Sequence, residues 1–175
     1  SSELAFGRPI LGQEEIDAVV RVLSGHTLVH GPVTREFEQR FAERVGTAHA
    51  VSVSSCTAGL HLSLLSNGVG PGDEVVVPAM THVATAHAVE YCGARPVFAD
   101  VEADSGNIDA DAVATLVGDR TASIMVVHYL GLPCDMDAIG QIADSVGAFV
   151  VEDCALALDA TYNGRKAGTL GRTGC

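Results

Sequence analysis

The segment Ser54-Ser55-Cys56-Thr57-Ala58-Gly59-Leu60 brings small side chains and several hydroxyls to a point where an apolar run gives way to a helical pattern. Open N–H groups at a helix start attract an anion such as phosphate, and small residues let it approach closely. Between Val45 and Ala94 there is no Lys or Arg. An anion held here must lean on backbone N–H groups and the helix dipole, with any cation supplied from elsewhere. The alternative is that Ser55 or Thr57 simply caps the helix. A second pair, Glu152-Asp153, closes another apolar run, and ligands of open α/β sheets gather at the carboxyl ends of strands. Facing a pyridine-type ring, an ionised Asp keeps the ring nitrogen protonated and lets the ring accept electrons; the alternative is a carboxylate capping the next turn. Third, His82 in Thr81-His82-Val83-Ala84-Thr85 offers a flat face for stacking, or is an ordinary polar residue at a helix start. His128, at the end of a further apolar run, has the same two readings. Each signal is weak alone. Together they follow consecutive apolar runs, so one edge of one sheet would gather them around one ligand.

The elements that must position these residues are legible in the hydrophobic pattern. Apolar runs at 50–53, 75–77, 96–99, 123–127 and 148–151 alternate with amphipathic stretches from about residue 48 onward. That alternation predicts parallel strands joined by crossover helices. Most runs are too apolar for one-sided strands, which predicts a sheet covered on both faces. Leu60, Leu64 and Leu65 recur at helical spacing, as do Met136, Ile139, Ile142, Ala143 and Val146, with Asp135 as a good N-cap. Two helices precede the sheet, one carrying Ile16, Val19, Val20 and Leu23, the other Val33, Phe37, Phe41 and Val45; Gly25 and Gly46 end them. The glycine-rich 68–73 follows a helix and opens a strand, the reverse of a dinucleotide fingerprint, and reads as a turn.

At 175 residues, 47% hydrophobic and 18% charged, the chain has material for one domain with a buried core, which excludes intrinsic disorder. The net charge of -12 argues against nucleic acid or an anionic membrane as partner. Five cysteines, at 56, 92, 134, 154 and 175, form no CxxC pair, which argues against a zinc or disulfide framework and for a reducing compartment. The N-terminus lacks a signal-peptide pattern and no apolar run reaches the roughly 20 residues that span a bilayer, so a soluble cytoplasmic protein is expected.

Four blocks then carry a resemblance: residues 31–65, 68–102, 126–139 and 150–175. In this order they resemble the DegT/DnrJ/StrS family of pyridoxal-phosphate-dependent sugar aminotransferases, of fold type I, the aspartate aminotransferase fold. The resemblance implies a three-layer α/β/α domain with a mainly parallel sheet and pyridoxal 5'-phosphate as cofactor. It implies that Thr57 and Ala58 hold the phosphate, with Cys56 where the family usually has Gly. It places His82 over the ring, where Phe or Trp is common, and Asp153 at the pyridine nitrogen. Leu156 stands where the family usually has Gln or His near the phenolic oxygen, and Leu cannot donate that hydrogen bond.

The family pattern continues beyond the run matching 168–175 into a segment with a phosphate-binding serine and the Schiff-base lysine. Lys166 is the only lysine in this sequence, and its setting at 163–168 reads as an exposed turn. The resemblance therefore implies that residues 1–175 are the N-terminal part of the large cofactor-binding domain, without the small C-terminal domain and inactive alone. The expected parent enzyme is a homodimer that transfers an amino group, with glutamate as donor, to a nucleotide-linked keto sugar. Two alternatives stay open: a sugar dehydratase of the same family, with His in place of the lysine, and a non-catalytic cofactor-binding or interaction module.

Overall fold

The computed structural model describes residues 9–175; part of the N-terminal reading above falls on 1–8 and lies outside them. Two helices come first, α1 (Gln13–Leu23) and α2 (Pro32–Val45). Gly12 N–H donates to Glu15 Oε2 at 2.7 Å at the start of α1, Pro32 opens α2, and Gly46 ends α2 in the left-handed conformation at φ +85°. Then follow α3 (Cys56–Ser66), β1 (Glu74–Pro78), α4 (Val83–Tyr91), β2 (Arg95–Ala99), α5 (Ala110–Leu116) and β3 (Thr121–Val127). A single 3₁₀ turn at Tyr129–Gly131 leads to α6 (Met136–Val146) and β4 (Phe149–Asp153). A two-stranded hairpin, β5 (Thr161–Tyr162) with β6 (Arg165–Lys166), precedes a short last strand, β7 (Thr173–Gly174). Asp135 caps α6 as its pattern predicts, accepting from Ala138 N–H at 3.1 Å.

The five strands of the main sheet run parallel in the order β2-β1-β3-β4-β7. Parity along each strand sorts side chains between two cores. Val75, Val77, Met125 and Val151 face a cluster with Leu60, Leu64 and Val89 from α3 and α4. Val76, Ile124, Val126 and Val150 face a second, with Val113 from α5 and Ile139 and Ala143 from α6. The expected three-layer α/β/α arrangement is therefore present, which is why these strands read as continuous apolar runs. Successive strands are added outward in opposite directions on the two sides of the β1/β3 boundary, with β2 beyond β1 and β4 beyond β3, the place where open α/β sheets leave a crevice at their carboxyl ends. The glycine-rich 68–73 joins α3 to β1 as a turn. Among the described residues no helix is long and apolar enough to cross a membrane.

Two expectations need correction. Residues 50–53 do not form a strand: they have no ladder partner among the described residues, Val51 is 78% exposed, and the Ser52 N–H donates instead to Glu38 Oε1 at 2.7 Å. An apolar run becomes a strand only where a neighbour takes up its backbone groups. Lys166 also differs from the exposed turn expected, because it lies on β6 with its side chain 32% exposed and paired with Asp159. The turn itself is Asn163-Gly164, both at positive φ, as a two-residue hairpin requires.

The contrast between the run at 50–53 and the buried core gives a direct test. Leu64→Ala should destabilise the chain by about 3 kcal/mol, while Val51→Ser should stay within about 0.5 kcal/mol of wild type; urea denaturation compares them.

Candidate functional site

Parallel pairing puts the carboxyl ends of β1, β3 and β4 at one edge; His82 and His128 follow β1 and β3, Glu152 and Asp153 end β4, and residues 54–60, which follow no strand, reach this edge through the Cys56 contact with Asp153. Strand parity separates the Glu152-Asp153 pair, because successive side chains point to opposite faces. Glu152 is fully buried on the side of α6 and the 168–171 turn. Its Oε2 accepts from His128 Nε2 at 2.9 Å and from Gly168 N–H at 2.8 Å, and its Oε1 from Leu170 N–H at 2.7 Å and Gly171 N–H at 2.6 Å. The proton on His128 Nε2 follows from the other ring nitrogen, Nδ1, which accepts from Cys134 N–H at 3.1 Å. Burial alone would raise the Glu152 carboxyl, but the His128 hydrogen bond and three backbone donors outweigh it and hold the group below the ordinary carboxylate value.

Glu152 and His128 are thus structural, and neither has an atom left for a ligand. Cys154 stands with them close enough for a three-residue metal site. The carboxylate is saturated with donors, the imidazole has both nitrogens engaged, and burial followed by the Glu152 and Asp153 charges raises the Cys154 thiol. The chemistry of this donor set does not fit a cation.

Asp153 is the residue of the pair that keeps an oxygen open. It is 5% exposed and lies on the α3 side of the sheet. Its Oδ1 accepts from Ala155 N–H at 3.0 Å and contacts Cys56 Sγ at 3.6 Å. Among the described residues its Oδ2 has no hydrogen-bond partner. The structure therefore brings Cys56 and Asp153 together across 97 residues of sequence.

Cys56, Thr57 and Ala58 form the first turn of α3. Ser55 is the N-cap, and its Oγ accepts from Ala58 N–H at 3.1 Å. The open donors are the amides of Cys56 and Thr57, which have no acceptor among the described residues. Ala58 differs from expectation in this respect, its amide being engaged by the cap. A phosphate-bearing, flat heteroaromatic group fits what is present: two open amides at a helix start, the Thr57 hydroxyl, and an accessible carboxylate oxygen of Asp153 without a protein partner beside them.

His82 is the N-cap of α4, with Nδ1 accepting from Ala84 N–H at 3.1 Å, so the exposed ring is held in one orientation. Helix α4 packs along α3, and no hydrogen bond joins His82 to Asp153 or Cys56 among the described residues. Leu156 lies in the loop after β4, 63% exposed.

Sequence reasoning missed Asn107. This buried side chain donates to the carbonyls of Leu132 and Pro133 at 3.1 and 3.2 Å, and its Oδ1 accepts from Tyr129 N–H at 3.0 Å. It fixes the loop that follows β3. No local pattern marks it, because its partners lie 22 to 26 residues away.

A doubly covered parallel sheet with an anion-ready helix start and a buried carboxylate at its carboxyl edge defines an α/β protein of the class whose sheet edge is suited to a phosphorylated ligand. Matching over residues 9–175 makes the narrower assignment: this chain belongs to the DegT/DnrJ/EryC1/StrS aminotransferase family. It is 44% identical over 168 residues to the spore coat polysaccharide biosynthesis protein SpsC of Bacillus subtilis (strain 168), a match covering 96% of this chain and 43% of that protein. It superimposes on the X-ray structure of the aminotransferase from Psychrobacter cryohalolentis with a TM-score of 0.91 and 40% identity, covering 95% of this chain and 42% of that one. The PLP form of Spr1654 from Streptococcus pneumoniae also gives 0.91, at 33% identity, covering 96% of this chain and 47% of that one. The fold is thus that of the fold type I aminotransferases, and the chain spans less than half the length of each of these relatives.

The Glu152 cluster sets a stability test with a defined sign. Its folded-state pKa lies below the unfolded value, so its contribution is complete above the unfolded value and is lost as pH falls through the folded one. Glu152→Gln should cost about 3 kcal/mol at pH 7, and should flatten the loss of stability on acidification below pH 4.5 seen by urea denaturation of wild type.

Proposed function

We propose that this chain is the N-terminal, cofactor-binding part of the large domain of a pyridoxal-phosphate-dependent aminotransferase. In this reading the enzyme acts on a nucleotide-linked keto sugar and draws its amino group from an amino acid, with glutamate the expected donor. The family is pyridoxal-phosphate-dependent, and the polysaccharide pathway named for SpsC supports a sugar as acceptor. The observation that carries the cofactor assignment is the free Oδ2 of buried Asp153 beside the open amides of Cys56 and Thr57.

Each residue then has a part. The amides of Cys56 and Thr57 and the Thr57 hydroxyl bind the phosphate, using the helix dipole in a segment without cations. Ala58 keeps the approach open with its small side chain. His82, pinned by Ala84 N–H, stacks on one face of the ring. Asp153 Oδ2 accepts from the ring nitrogen and holds its proton there. Leu156 supplies an apolar contact and no hydrogen bond. When bound, the cofactor supplies an electron sink, which a protonated ring nitrogen deepens.

We assign no turnover to the 175-residue chain itself, because its sole lysine is committed to Asp159. We further propose that the parent enzyme is a cytoplasmic homodimer. The apolar stripe of α1, with Ile16, Val19 and Val20 each more than half exposed, supports a surface that another part of the assembly covers. The five free cysteines support a reducing setting.

Titration of the chain with pyridoxal phosphate, followed by the cofactor's absorbance, tests this reading. Reversible binding that inorganic phosphate displaces is expected. Asp153→Ala should weaken it by about tenfold or more, and borohydride should fix no cofactor on Lys166. Wild-type affinity in Asp153→Ala, or cofactor fixed on Lys166 together with turnover, would overturn it.

A further inference from the structure

We infer that the Cys56 thiol is a positioning residue for Asp153: its S–H donates to Oδ1 and leaves Oδ2 as the oxygen presented to a ligand. The inference rests on the cofactor reading above, but its first step stands on geometry alone. Cys56 Sγ lies 3.6 Å from Asp153 Oδ1, within the range of a sulfur donor, and the Ala155 amide approaches the same oxygen at 3.0 Å. Two donors on one oxygen fix the plane of the carboxylate, and the second oxygen has no partner among the described residues. On a residue only 5% exposed, this oxygen is the part left accessible, where a ligand donor can meet it.

The thiol must keep its proton to act in this way, and its surroundings hold it there. Burial first, then the charge of Asp153, pushes the Cys56 thiol up to about 12. The titratable groups that act on it are Asp153 and Cys154 at the end of β4 and Cys175 after β7, and none of them carries positive charge. At neutral pH Cys56 is therefore a donor and not a nucleophile.

Its place at the first position of α3 gives the contact a further consequence. The backbone of Cys56 supplies one of the open amides at the helix start, while its side chain reaches the carboxylate on β4. One residue thereby sets the spacing between the anion-binding end of the site and the carboxylate end. A glycine at this position supplies the amide but not the link, so this chain holds the two ends in register through a side chain.

Infrared difference spectra of the chain, wild type minus Cys56→Ala, isolate the Cys56 S–H stretch in a window free of other protein bands. A hydrogen-bonded thiol absorbs below the frequency of a free one. The band should lie low in wild type and move up in Asp153→Asn, and carboxymethylation of Cys56 at pH 9 should be about threefold faster in that variant. An unshifted band, or identical alkylation rates, would overturn the hydrogen bond.

Pyridoxal phosphate titration then reads the consequence for the ligand. Cys56→Ala should bind about fivefold more weakly, as the loss of one modest hydrogen bond implies, with Cys56→Ser closer to wild type. Equal affinity in wild type and Cys56→Ala would overturn the positioning role even with the hydrogen bond present. A wild-type chain that takes up no cofactor would sink the cofactor reading itself, and the infrared band alone would then decide whether the thiol holds the carboxylate.

Discussion

A single buried carboxylate, Glu152, organises the part of the molecule where the site is built. It is fully buried, so its charge is held by the four donors that converge on its two oxygens. Those donors come from two places in the chain: His128 after β3, and three amides of the turn at 168–171. Satisfying one charge therefore ties β3, β4 and the approach to β7 into one unit. His128 extends the unit through Cys134 N–H, which holds the loop that Asn107 fixes from below. An apolar residue at 152 would leave three backbone amides unpaired in the interior, a larger penalty than the loss of one ion pair.

The neighbour of this carboxylate inherits its position. Because β4 is held rigidly by the Glu152 cluster on one face, Asp153 projects from the other face with little freedom, into contact with the start of α3. Adjacent carboxylates on one strand thus take opposite parts, one consumed by the fold and one left with an open oxygen. Strand parity alone makes the division.

The acidic composition shapes the rest of the site by what it withholds. Several of the few cations are committed elsewhere: Arg95 and Arg120 converge on Glu74 at the opposite edge of the sheet, and Arg44 and Lys166 on Asp159. Arg172 lies over the Phe149 ring. With no Lys or Arg between Val45 and Ala94, recognition of an anion at α3 falls to peptide N–H groups, whose dipoles are fixed by the helix and need no counter-charge to hold them in place.

Hydrophobic periodicity in the sequence determined four of the expected strands, the helices between them, the two helices at the front and the sheet covered on both faces. Those features arise from patterns within a dozen residues, where spacing of apolar side chains dictates which face is buried. The same logic failed at 50–53, because an apolar run says nothing about whether a neighbouring strand exists to pair with it. It also left Glu152, Asp153 and His128 with two readings each. Only the tertiary structure shows Glu152 and His128 bound to each other and gives Asp153 both the turn contact to Ala155 and the contact to Cys56, and a hydrogen bond across the fold leaves no periodic trace in the chain.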